Sequence, residues 1–226
     1  MRIYNLDEDY FEIIDTQEKS YWLGFLAADG NISFGSKETK SLRLNFSLIA
    51  KDIDMIQKFK AATQATYPIK TFKGAGYSHT TEIAKIQLNS NKLCNDLMKQ
   101  GIVMNKTEHG VGKPTMSQEM FRHYLRGFFD GDGYVGFVPR KECPDNRKRD
   151  RFNFEIVSNT KSILEYFHEC LQKEDIVVSI YQRKSNGVYR LITGSRTEGR
   201  KLFHFMYDDS STFIKRKYDV FCNIAV

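Results

Sequence analysis

Long apolar runs are missing from this chain, so no segment reaches the length needed to span a membrane as a helix. The opening Met1-Arg2-Ile3-Tyr4-Asn5 lacks the apolar centre of a signal peptide. Cysteine is scarce and unpatterned. Cys94, Cys143, Cys170 and Cys222 form no CxxC pair and no small-domain disulfide framework. That pattern suits a reduced, intracellular setting, and the expected location is cytoplasmic. Acidic residues are the minority charge, 28 against 34 lysines and arginines, for a formal net charge of +6. The excess of positive charge favours a polyanionic partner.

What is present is a repetition. YWLGFLAADG runs from Tyr21 to Gly30, and YLRGFFDGDG runs from Tyr124 to Gly133. Gly24 meets Gly127, Ala28 meets Gly131, Asp29 meets Asp132 and Gly30 meets Gly133, each 103 residues further on. Two more blocks follow in order. Arg43-Leu44-Asn45-Phe46 matches Arg151-Phe152-Asn153-Phe154, and Lys85–Ser90 matches Arg190–Ser195. A period near half of 226 residues describes two copies of one subdomain, because solenoid repeats are shorter.

Each copy reads as an α+β unit. Asp15 with Glu18, and Thr115 with Gln118, are spaced as helix-opening capping boxes. Leu42, Leu44, Phe46 and Leu48 alternate with polar residues, as do Phe152, Phe154 and Ile156, which predicts half-buried antiparallel strands. Helical spacing covers 52–64 and 161–173, further strands lie near 69–73, 83–88, 177–184 and 188–193, and helices close the copies near 92–100, 199–207 and 213–224. The order per copy is αββαββα, divided as residues 1–106, a linker over 107–116 carrying Gly110, Gly112 and Pro114, and residues 117–226.

The small residues Gly24 and Ala28, and Gly127 and Gly131, lie four apart and put a narrow stripe on one face of each helix. Such stripes allow close backbone approach, so the two helices are expected to pair across a pseudo-twofold axis as the subdomain interface. Asp29 and Asp132 then end those helices, each followed by a glycine (Gly30, Gly133) suited to the left-handed position after a helix, against the negative end of each dipole and near each other. Divalent cations would reverse that penalty, since carboxylate oxygens are hard ligands.

Both segments resemble the LAGLIDADG motif of homing endonucleases in the single-chain, two-motif form, over nearly the whole sequence. The resemblance implies two twisted antiparallel sheets forming a DNA-binding saddle. It also implies a sequence-specific enzyme that makes a double-strand break in a long asymmetric target, acting as a monomer on double-stranded DNA. Magnesium (Mg2+) is the implied cofactor, with manganese (Mn2+) able to substitute. The last motif acids, Asp29 and Asp132, map to the metal ligands, joined by the backbone of Ala28 and Gly131. The first motif acid is Asp130 in the second copy and Ala27 in the first, so that position is not expected to be essential.

The family's basic residue in each site maps to Lys106 and Lys217, the second with Lys215 and Arg216 as neighbours. A glutamine frequent in the family's water network is replaced by Ala50 and Ser158, which makes Lys51 a substitute participant. DNA-binding candidates on the polar strand faces are Ser33, Arg43, Asn45, Ser47, Lys70, Lys85 and Gln87, then Arg151, Asn153, Glu155, Tyr181, Arg183 and Arg190. The basic run with Arg140, Arg147, Lys148 and Arg149 is expected over phosphates. The alternatives are an RNA maturase, a non-cleaving DNA-binding protein of the same fold, and a structural protein with a duplicated α+β fold.

Overall fold

The computed structural model describes residues 3–36, 38, 40–74, 81–138, 150–185 and 187–225. The first repeat comprises α1 (Gln17–Asp29), β1 (Gly30–Ser36), β2 (Ser41–Ile49), a 3-10 turn (Ala50–Asp52), α2 (Ile53–Ala62), β3 (Lys70–Lys73), β4 (Glu82–Asn89) and α3 (Asn91–Lys99). A short helix, α4 (Lys106–His109), stands in the expected linker. The second repeat follows with α5 (Gln118–Asp132), β5 (Gly133–Val138), β6 (Arg151–Ser158), α6 (Lys161–Lys173), β7 (Ser179–Gln182), β8 (Tyr189–Thr193), α7 (Arg196–Tyr207) and α8 (Lys215–Ala225).

Two four-stranded antiparallel sheets result, ordered β1-β2-β4-β3 and β5-β6-β8-β7. The alternation read from the sequence sets their faces. Leu42, Leu44, Phe46 and Leu48 on β2, with Ala84, Ile86 and Leu88 on β4, point into the core. In the first repeat Trp22, Phe25, Phe46 and Phe59 pack ring on ring. In the second, Phe129 stacks on Phe154 at 5.1 Å, and Phe221 closes over both. Ser20 through Ala28 of α1 are all buried, because this helix lies between its own sheet and α5 and needs no wet face.

Three local expectations change. The helix caps are Thr16, accepting from the Lys19 amide, and Ser117, accepting from the Met120 amide. Asp15 bonds the Lys19 ammonium instead. Gly30 and Gly133 are extended (φ −72° and −90°), not left-handed. Glycine is required there for room, since a Cβ on Gly30 would sit 2.6 Å from the Leu26 carbonyl oxygen and one on Gly133 would meet Phe129.

The third change concerns the repeat itself. Gly30 pairs with Phe46 and Gly133 pairs with Ile156, so Phe46 and Ile156 are equivalent, 110 residues apart. Asn45 is therefore the counterpart of Glu155, and Arg43 that of Asn153. The sequence match of Arg43-Leu44-Asn45-Phe46 with Arg151–Phe154 is two residues out of register. Both strands carry the same alternation, and a shift of two preserves it, so the sequence alone does not separate the two pairings.

Candidate functional site

The site is built on the seam between α1 and α5. A Cβ on Gly24 would collide with the Tyr124 carbonyl, and one on Gly127 with that of Tyr21. The two glycines thus let each helix rest on the other's backbone, as their spacing predicts. Ala28 and Gly131 meet one turn further on, where a Cβ on Gly131 would strike the Ala28 methyl and lie 3.0 Å from Asp29 Oδ2. Both terminal aspartates therefore reach the same end of the seam.

Neither helix carries a basic residue in its last turn. The compensating cations come from elsewhere in the chain. Lys106, the first residue of α4, donates to the carbonyls of Ala27 (3.0 Å) and Ala28. Lys217, in α8, donates to Phe129 (2.8 Å), Asp130 (2.7 Å), Gly131 (3.3 Å) and Gly133 (2.7 Å). Each lysine closes the carbonyl end of its own repeat's helix, satisfying groups a helix leaves orphaned. The neighbours of Lys217 point elsewhere: Lys215 pairs with Asp219, and Arg216 with Asp52.

The electrostatics show how tightly these groups are held. Burial, and then the Asp132 charge, raise the Asp29 carboxyl to about 7, against the pull of Lys106 and Lys217. Asp132 is raised by burial as well. Burial lowers both Lys106 and Lys217 to about 8, even with the aspartates favouring their charge. Two carboxylates and two lysines thus share one end of the seam, with the charged form of each disfavoured by burial and partly restored by its opposite-charge neighbours.

Two hollows flank it. One brings Asp132 together with Ala28, Lys106, Asn159 and Thr160. The other brings Asp29 together with Asp52, Asp130, Gly131 and Arg216. Asp52 and Thr160 hold corresponding places, each preceding the helix after the second strand, but they do different things. Asp52 takes Arg216 through Nε and Nη2 (2.8 Å to Oδ2), joining the two repeats. Thr160 Oγ1 accepts from the Val111 amide (3.2 Å).

Asp52 and Arg216 were not singled out in the sequence, where Asp52 is an acid at a helix start and Arg216 one cation in a run of three. Lys51 is exposed in the 3-10 turn and lines neither hollow. Asp130 accepts from Tyr21 Oη (2.7 Å) across the seam and from the Ile214 amide (2.8 Å). It acts as a strut between the repeats.

Asp29 and Asp132 would offer a divalent cation hard oxygen ligands here, with the Ala28 and Gly131 carbonyls adjacent. Those carbonyls are engaged by Lys106 and Lys217. Among the described residues no group of three or more His, Cys, Asp or Glu side chains is gathered for a metal. A cation would therefore rest on the two aspartates and on water.

The strand candidates fall on the polar faces, with varied surroundings. Arg43 donates to Asn89 Oδ1 (2.7 Å). Asn45 is buried, donating to Ser33 Oγ (2.9 Å) and accepting from Gln87 (2.7 Å). Lys85 stands opposite Ser47 on one side and Lys70 on the other. Arg151 and Arg183 are exposed, Asn153 is half-buried, Tyr181 is exposed opposite Arg190, and Glu155 is buried against Arg190. Arg140, Arg147, Lys148 and Arg149 lie outside the described residues.

Residues 119–203 match the family described as LAGLIDADG-like domain. The second repeat is a LAGLIDADG-like domain. Solved structures extend the likeness to the LAGLIDADG fold of the whole chain. Meganuclease I-SmaMI bound to uncleaveable DNA with a TTGT central four is 15% identical, with a TM-score of 0.66 over 91% of this chain and 89% of that one. I-SmaMI bound to uncleaved DNA target in the presence of calcium ions is 14% identical, at 0.61 over 91% and 88%. The I-LtrWI LAGLIDADG homing endonuclease bound to target DNA is 14% identical, at 0.61 over 92% and 90%. Among curated proteins the sequence has no match. The LAGLIDADG resemblance and the duplicated α+β fold expected from the sequence are thus borne out. No helix among the described residues is long and apolar enough to cross a membrane.

Proposed function

We propose that this LAGLIDADG protein is a sequence-specific homing endonuclease that binds a long asymmetric double-stranded DNA as a monomer and cuts both strands, using Mg2+ with Mn2+ able to replace it. The observation that carries the reading is the seam: two carboxylates, half-buried Asp29 and solvent-accessible Asp132, forced together at paired helix ends with one lysine behind each. A fold gains nothing from that repulsion, and a phosphodiester-hydrolysing site gains a cation-binding centre. The structural relatives seen on DNA, one of them with calcium present, support it.

A bound cation supplies an activated water and neutralises charge on the phosphate. Asp29 and Asp132 are the residues that would hold it. Lys106 and Lys217 fix the helix ends and keep positive charge facing the scissile region. The polar strand faces hold the duplex in register. The rival readings, maturase or non-cleaving binder, predict binding without breakage. Incubating the protein with a randomised duplex library and Mg2+ and sequencing the ends decides between them. Recovery of one family of cut sites supports the proposal, and bound but uncut duplex defeats it.

A further inference from the structure

Arg190 lies on β8 of the second sheet and Glu155 diagonally across from it on β6, both on the polar face. Arg190 Nε and Nη2 donate to the two Glu155 oxygens, one to each. This side-on grip uses two of the five guanidinium N–H groups. The two that remain on the outer edge, one on Nη1 and one on Nη2, point along the end of the fork. That edge matches the O6 and N7 acceptors of guanine, the commonest arginine readout in a major groove.

Exposure follows the same division. The Glu155 side chain is 11% exposed, whereas that of Arg190 keeps 28%. Tyr181, directly opposite Arg190, is exposed beside it. The strand register adds an independent point. Asn45, the counterpart of Glu155 in the first sheet, is also a sunken residue whose side chain braces a neighbour on the next strand, Gln87.

We infer that Glu155 is a positioning residue and not a base reader, and that it aims Arg190 at one guanine in the half of the target that lies on the second sheet. This rests on the DNA-recognition reading above and sharpens it. A free arginine on a flexible stem is drawn to any phosphate; one tied side-on to a carboxylate has a single aim and almost no net charge to offer the backbone. The pair therefore converts a general attraction into a choice of base.

The test is a binding-specificity profile on a randomised duplex library for the full chain, without divalent metal, for wild type, Arg190→Ala and Glu155→Gln, with thermal melts alongside. Wild type should fix guanine at one position of one half-site. Arg190→Ala should lose about ten- to a hundredfold of that discrimination, at that position only. Glu155→Gln should lose part of it there while binding all sequences more tightly, with a steeper salt dependence as the freed arginine finds phosphate. That opposite movement of specificity and affinity is not produced by a structural role. If wild type selects a sequence and both variants keep its profile, or Glu155→Gln loses preference evenly at all positions, this inference falls alone. If wild type selects no sequence, the DNA-recognition reading falls and takes it along.

Discussion

Asp52 receives Arg216 through both oxygens, Nε at 3.1 Å and Nη2 at 2.8 Å, and so ties the turn after β2 in one repeat to the last helix of the other. The pair stands beside Asp29, while the matching position beside Asp132 is the neutral Thr160. The two halves of the seam are therefore chemically unequal. Arg216→Gln would leave Asp52, 6% exposed, without its partner. We expect a loss of about 1–2 kcal/mol in urea unfolding, below the usual value for a buried pair because the Arg216 side chain is 43% exposed. Under the proposed activity, the same variant should accumulate a nicked intermediate, one strand slowing more than the other. Equal slowing of both strands would contradict the inequality.

Asp29→Asn and Asp132→Asn should each abolish double-strand cleavage while leaving specific binding in place. Both should also stabilise the fold. The Asp29 carboxyl is raised to about 7 in the folded protein, so its ionisation disfavours folding. Its contribution is most favourable below the unfolded carboxylate range and declines as pH rises from about 4 to 7. Comparing wild type with Asp29→Asn by urea unfolding at pH 8 should show a gain on the order of 2 kcal/mol in the variant. Full cleavage by either variant, or a loss of stability, would remove these residues from the centre.

Gly24 and Gly127 touch facing backbone, so even a methyl is too large. Gly127→Ala should cost about 1–3 kcal/mol by overpacking, despite alanine's better helix propensity. The expected readout is a lower unfolding midpoint together with reduced cleavage in the fraction still folded. A stabilised Gly127→Ala protein would mean that the helices do not meet at this point.

His123 is buried beside Arg126, Nη1 to Nδ1 2.8 Å, and burial and then the Arg126 charge hold it down to about 3. The unfolded chain takes up a proton near 6.5 that the folded one refuses, so stability present above that pH is lost as pH falls towards 3. Between pH 7 and 5 wild type should lose about 2 kcal/mol more than His123→Gln, measured by urea unfolding at both pH values. Parallel losses in the two proteins would show that His123 does not carry this slope.

The sequence by itself determined the duplication, the strands and helices of each copy, the pairing of the two glycine stripes and the placement of Asp29 and Asp132 at helix ends. All of these rest on short-range signals: periodicity of 2 and 3.6, small residues four apart, and a motif written twice. The short helix at Lys106–His109 escaped because its four residues carry too little pattern. The caps moved by one or two residues because several polar side chains near each helix start compete for the same amides.

The family resemblance points to Lys106 and Lys217, but only the tertiary structure decided what they hold, the carbonyl ends of α1 and α5, reached from 78 and 87 residues away. It also set how the two repeats correspond, moving the counterpart of Glu155 two residues back along β2 to Asn45. Finally, it joined Asp52 to Arg216, 164 residues apart. Contacts of that kind depend on how two independently patterned subdomains dock, and no local period in the chain encodes the docking.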